Sequence, residues 1–310
     1  MKLFRYLLIL TAMFTFVTAC NKTTYRKTAG GMPYRIIRGN DTTKVASRAI
    51  LKLSFTQKVN DSVYFTNVGK PPFYTPVPQD AMPYDLSEVW QHVFIGDSII
   101  TVQAMDTFMR RNPGQIAPHF KKGDRIVTYV KVLGAFANAA DAVNDEKLEK
   151  EKFQQREINE LTQYLKEKNI ETVRTKSGAF LRVDDQGTGP AVDSGKFVMV
   201  NYTGTSYSGK KFDSNTDTAF HHVEPYGYTA GAGEMIPGFD EGVMLLNKGG
   251  KGKIYVPSML GYGAGGRQPM IQPYEHLIFD IEVVDVMDSR PVQPDPRTLQ
   301  NPGSNAPGNN

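Results

Sequence analysis

Side chains able to carry chemistry are sparse in this 310-residue chain. Its single cysteine, Cys20, excludes an intrachain disulfide and a thiolate-bound metal cluster. His221 and His222 are adjacent, but no further ligands stand at useful spacing, so the pair reads as a loop feature rather than a metal site. The glycines of GYGAGGR (261–267) do not follow a strand and open a helix, as a dinucleotide site demands. Asp213, followed by Ser214 and Asn215, is compatible with a turn and equally with a functional acid. Tyr202 and Phe279 lie in strand-like runs, where an aromatic taken alone is usually core. No metal and no cofactor is implied, so any chemistry must come from the way aromatic and polar groups are assembled.

The length suggests two globular units. A formal charge of +4, which falls by two if Lys2 and Arg5 are removed, is too small to imply a nucleic-acid partner. In the C-terminal part, FVMVNYTGTS (197–206), KGKIYVP (251–257) and HLIFDIEVVDVM (276–287) carry the β-branched and aromatic residues of strands. Val198, Val200 and Tyr202 fall on one face, as do Ile254 and Val256. Between these strands a short helix is expected from about Pro237 to Leu246, with Pro at its start and Gly249 beyond its end. The class is therefore α+β, mainly antiparallel sheet with one helix.

The stretch from Asp141 to Asn169 has no Gly or Pro and is rich in helix formers. Leu148, Ile158, Leu161 and Leu165 lie around one face of the helix it would form. Such a helix is about 40 Å long. It is expected either to pack on a neighbouring domain or to serve as the arm of a homodimer. Upstream of it, AILKLSFTQ (49–57), VFIGDSIITVQ (93–103) and KKGDRIVTYVKVLGAF (121–136) repeat the C-terminal strand order faintly, which points to an internal duplication.

The first twenty residues run from Lys2 and Arg5 through an apolar stretch, Tyr6 to Val17, to small residues before Cys20, as a secretory leader does. The ending VTAC resembles the lipobox of bacterial lipoproteins, which implies lipidation of Cys20 and durable membrane anchoring by several acyl chains. No other segment approaches the length of a membrane span. Asn21 after the cysteine is compatible with outer-membrane sorting, on the periplasmic face. Residues 21–31 are expected as a polar tether, and the Pro-, Asn- and Gly-dense 289–310 as a disordered tail.

Six strings of the C-terminal part, VNYTG (200–204), KKFDSN (210–215), PYGYTAG (225–231), MIPGFDEGV (235–243), GYGAGG (261–266) and HLIFDIEVVDV (276–286), resemble FKBP-type peptidyl-prolyl isomerases in order and spacing. The resemblance implies a domain over 172–288 with a proline pocket lined by Tyr202, Phe212, Asp213, Tyr226, Met235, Ile236, Phe239, Tyr262, Ile271 and Phe279. Phe239 would be its floor and Tyr202, Tyr226 and Phe279 its walls. Ile236 N–H and the Tyr262 hydroxyl would serve substrate carbonyls, with Asp213 at the edge as an electrostatic group. The family's usual floor is Trp, the stretch from Phe212 to Tyr226 is longer than in minimal members, and Gln272-Pro273 replaces a double proline.

Residues 32–136 would then be a degenerate FKBP-like copy joined through a helical linker at 137–171. Phe65-Thr66 stands for the Phe-Asp pair, Phe55 for the wall tyrosine and Leu86 for the floor, and the pocket is expected to be lost. Trp90 is expected in the core. The function implied is a prolyl isomerase acting on unfolded, proline-containing exported proteins in the cell envelope. The alternative is a non-catalytic periplasmic chaperone or assembly scaffold.

Overall fold

The computed structural model describes residues 24–111 and 120–291. The leader with Cys20 and nearly all of the expected tail lie outside the described residues. The chain divides into two compact units between Lys147 and Leu148.

In the first unit, β1 (Arg26–Lys27), β2 (Pro33–Ile37), β3 (Ile50–Val59), β4 (Ser62–Thr66), β5 (Phe73–Pro76), β6 (Ser98–Ala104) and β7 (Arg125–Phe136) form one antiparallel sheet. Its order is β1-β2-β6-β7-β3-β4, with β5 also on β3. A 3-10 helix at Leu86–His92 and α1 (Met105–Arg111) accompany the sheet. The core comprises Leu51, Leu53, Val89, Trp90, Ile99, Val130 and Val132 among others. Residues 26–31 are not part of a tether. Arg26 and Lys27 pair with Tyr34 and Pro33, and Gly30 N–H donates to Glu88 Oε1 at 2.6 Å. Satisfying backbone groups on the sheet edge draws this polar segment into the fold.

The helix α2 (Ala139–Glu167) starts two residues before the expected position because Asn138 caps it, its Oδ1 accepting Asp141 N–H at 2.9 Å. At its far end Asn169 takes a left-handed conformation (φ 54°) and Ile170 N–H closes on Leu165 O at 2.9 Å. Residues 139–147 of this helix fall in the first unit and 148–167 in the second. In the second unit Ile158, Leu161 and Leu165 are buried with Phe180 and Tyr255, whereas Leu148 of the same expected stripe is exposed.

The second unit contains β8 (Val173–Arg174), β9 (Phe180–Asp185), β10 (Phe197–Ser206), β11 (Lys211–Ser214), β12 (Tyr226–Thr229), β13 (Lys251–Val256) and β14 (Leu277–Met287). Its sheet order is β8-β9-β13-β14-β10-β11, with β12 also on β10. Strand for strand this is the topology of the first unit. The register slips at matching places too, between Lys52 and Leu53 on β3 and between Met199 and Val200 on β10. Helix α3 (Pro237–Val243) packs against β9, β13 and β14, burying Phe239 and Val243 among Val198, Val200, Ile254 and Val256. It ends before Leu246 because Leu245 and Leu246 N–H bond three residues back, to Gly242 O and Val243 O at 3.2 and 3.0 Å, and so leave the helical ladder.

A pair of buried asparagines extends the duplication to side chains. Asn215 Oδ1 accepts Tyr202 N–H at 2.6 Å while its Nδ2 donates to Val200 O and Glu224 O. Asn67 likewise accepts Phe55 N–H at 2.6 Å and donates to Leu53 O and Pro71 O.

Candidate functional site

Five elements and one loop of the second unit bring side chains to one hollow of about 370 Å³. Strand β10 supplies Tyr202, β11 supplies Phe212 and Asp213, and β12 begins with Tyr226. The approach to α3 contributes Met235 and Ile236, its first turn Phe239, the loop after β13 Tyr262, and β14 Phe279. Phe239 lies at the base, 0% exposed, with Tyr202 and Phe279 meeting it edge-on at 6.0 and 5.0 Å between centroids. Phe212 meets Phe279 edge-on at 5.7 Å. Such edge-to-face pairs are favoured by the ring quadrupoles and give the hollow an apolar base. Tyr226 is 44% exposed at the rim.

Asp213 is the polar feature of this wall. Its Oδ2 accepts the Tyr202 hydroxyl at 2.9 Å, and its Oδ1 accepts Ser214 N–H at 3.0 Å. His222 Nε2 stands 2.8 Å from the same Oδ1. Burial first, and the neighbouring Asp213 carboxylate second, push the Tyr202 hydroxyl well above the usual phenol range, so it stays a proton donor to Asp213. Ile236 caps α3 in an extended conformation (φ −60°, ψ 141°), where its N–H is not called on by the helix ladder. The site thus offers an apolar ring-lined base, one backbone donor and one fixed carboxylate. Among the described residues no group of side chains could hold a metal ion.

Nine of the ten residues singled out from the sequence border this hollow, and Ile271 does not. Arg267 and Ile271 exchange both backbone hydrogen bonds, at 2.8 and 2.9 Å, and the turn so formed sends the Ile271 side chain into the core, where it is 1% exposed. Glu234 and Arg267 border the hollow as well and were not singled out, although each adjoins a matched string. His222, read only as a loop residue, reaches Asp213 because the long Phe212–Tyr226 connection folds back over it.

The first unit corrects two expectations. Gln57 faces Phe65 and Thr56 faces Thr66, as Gly204 faces Asp213 and Thr203 faces Ser214. The positions of Phe212 and Asp213 are therefore held by Tyr64 and Phe65, not by Phe65 and Thr66. Phe65 stacks on Phe55 at 5.0 Å, an apolar contact where the second unit has its carboxylate. Moreover, a hollow persists at the matching place, about 450 Å³, bordered by Phe55, Phe73, Leu86, Trp90, Thr101 and Thr128 among others. The pocket has changed its lining rather than disappeared.

A sheet wrapped on a short helix, with an aromatic hollow between them, defines the class of protein. Residues 189–284 match the family described as FKBP-type peptidyl-prolyl cis-trans isomerase. The chain belongs to this family. It is 40% identical over 103 residues to the FK506-binding protein of Neisseria meningitidis serogroup B, an alignment covering 33% of this chain and 91% of that protein. It is also 37% identical over 123 residues to the FKBP-type peptidyl-prolyl cis-trans isomerase FkpA of Escherichia coli K12, covering 40% of this chain and 42% of that protein. The crystal structure of Escherichia coli FkpA superposes with a TM-score of 0.36 at 31% identity, over 48% of this chain and 67% of that one.

Proposed function

We propose that the second unit isomerises Xaa-Pro bonds with the proline ring seated over Phe239, and that the chain assists the folding of exported proteins. The observation that carries this reading is the convergence of Tyr202, Asp213, Tyr226, Ile236, Phe239 and Phe279 on one hollow. The reaction breaks no bond. Its barrier, about 18–20 kcal/mol, is the loss of amide resonance on rotating the C–N bond. A site lowers that barrier by binding the twisted amide better than either planar form.

The rings around Phe239 provide a water-poor surface for the pyrrolidine. Ile236 N–H would hold a carbonyl next to the rotating bond, and the Tyr262 hydroxyl a second one. Asp213, fixed by Tyr202 and flanked by His222, would act on the rotating carbonyl through its field. It needs no proton transfer, since the substrate gains and loses none.

In a protease-coupled assay with Xaa-Pro peptides, Asp213→Leu and Tyr226→Ala should each lower kcat/KM by about tenfold or more. Undetectable turnover in the parent chain would overturn the enzymatic reading and leave a folding scaffold. The cellular setting in this proposal is the periplasmic face of the outer membrane, through lipid on Cys20. That part is supported by the leader and by the single cysteine at its end. Metabolic labelling with a radioactive fatty acid should mark the chain, and Cys20→Ala should abolish the label and release the protein from membranes.

A further inference from the structure

We infer that the hollow of the first unit is a second peptide-binding site, non-catalytic, which takes a tyrosine side chain of an unfolded polypeptide. The site lies in the first unit, and it stands whether or not the second unit is an isomerase.

The shared strand register shows what changed. Thr101 pairs with Thr128 and Gln103 with Ile126, where the second unit pairs Ile254 with Phe279 and Val256 with Leu277. Three inward positions that are apolar in one copy are thus hydroxyl or amide in the other. Likewise Thr75 on β5 takes the position of Tyr228 on β12, since Thr75 pairs with Leu51 and Tyr228 with Val198. Removing two rings deepens the hollow and lines its inner end with polar groups. Thr101, on the sheet, is only 2% exposed yet borders the space.

The remaining walls are mainly apolar, with Gln57 and Ser87 also bordering the space. Phe55, Leu86, Trp90 and Val130 surround the hollow, and Phe73, 51% exposed, stands at its mouth with its ring 5.8 Å from that of Phe55. Among the described residues Asp85 is the only ionisable one bordering it, and its Oδ1 accepts Ser87 N–H at 2.8 Å. The complementary ligand is therefore neutral, flat and apolar along its length, with a polar tip. Tyrosine has that chemistry. Thr128 Oγ1 already accepts from Gln57 Nε2 at 3.5 Å, so phenylalanine would leave the Thr101 hydroxyl without a ligand partner, and proline would leave the depth unfilled. Val63, Phe65, Val68 and Phe73 are all exposed on β4, β5 and their connection, an apolar margin suited to flanking chain rather than to a free amino acid.

Trp90 is the only tryptophan of the chain and borders this hollow, so its fluorescence reports on the first unit alone. The test titrates the full chain with acetyl-Gly-Tyr-Gly-amide and with the Phe and Pro analogues, exciting where tyrosine does not absorb. The Tyr peptide should give a saturable change, with the Phe peptide about tenfold weaker, as expected for one hydrogen bond lost. Thr101→Val, nearly isosteric, should erase that preference. Thr128→Phe, which restores the ring of the other copy, should abolish binding while leaving Xaa-Pro isomerisation unchanged. The inference is overturned if no saturable change occurs, if the Phe or Pro peptide binds as tightly as the Tyr peptide, or if Thr101→Val retains the preference.

Discussion

Asp213 matters through what holds it. The Tyr202 hydroxyl on one oxygen and His222 beside the other hold its carboxylate at the edge of the hollow. Tyr202→Phe and His222→Phe should each cost about fivefold in kcat/KM, the worth of one hydrogen bond, with the far-UV spectrum unchanged. Two other carboxylates respond to acid in opposite senses. Burial raises Asp240 above its ordinary 3.8, and the Gly231 N–H only partly offsets it. The folded state then holds its proton more tightly, so stability falls as pH rises from 3.8 through the folded value. Asp240→Asn should stabilise the second unit at neutral pH and make no difference below about pH 4, as urea midpoints would show.

Asp97 is buried too, but N–H groups of Phe94 and Gly39 and the Arg38 side chain together outweigh the burial and lower it. Its stabilisation is present above 3.8 and disappears as pH falls through the depressed value. Asp97→Asn should weaken the first unit at neutral pH, and the difference should close in acid.

At the level of elements, α2 is tied to the second unit by a buried acid as well as by its leucines. Glu157 is 2% exposed, accepting Ser258 Oγ at 2.5 Å and Met259 N–H at 3.1 Å, and so caps the short helix that leads into the Tyr262 loop. Removing it strands two donors at about 1–3 kcal/mol each. Glu157→Ala should therefore lower the stability of the second unit by about 2–6 kcal/mol, measured by denaturant unfolding, with Glu157→Gln markedly milder. The helical period alone makes residue 157 an unremarked neighbour of Ile158. A buried carboxylate is visible only once the partner strand and turn are in place.

For the molecule as a whole, one topology carries two linings. The asparagine that pins β10 in the second unit also sets the position of Tyr202, whereas its twin in the first unit pins Phe55. Asn215→Ala should lower isomerase activity by about tenfold as well as stability, because three backbone groups lose a partner. Asn67→Ala should leave turnover of Xaa-Pro peptides unchanged. Activity and unfolding measured on the same two variants check both statements.

Composition and order of residues by themselves determined the α+β class, the long helix and the duplication, and the resemblance of six strings to a known family implied nearly all of the ring-lined hollow. Those features follow from strand alternation, from an unbroken run of helix formers and from a series of strings whose spacing survives. Only the tertiary structure decided the fate of Ile271, the reach of His222 and the engagement of Glu157, because each depends on a turn or packing partner remote in sequence. It alone set Phe65 against Gln57, since register is fixed by hydrogen bonds between strands and a one-residue slip changes which side chain faces inward. The polar hollow beneath Phe55 was hidden for the same reason: threonines on a strand announce nothing until the rings that would have filled the space are seen to be missing.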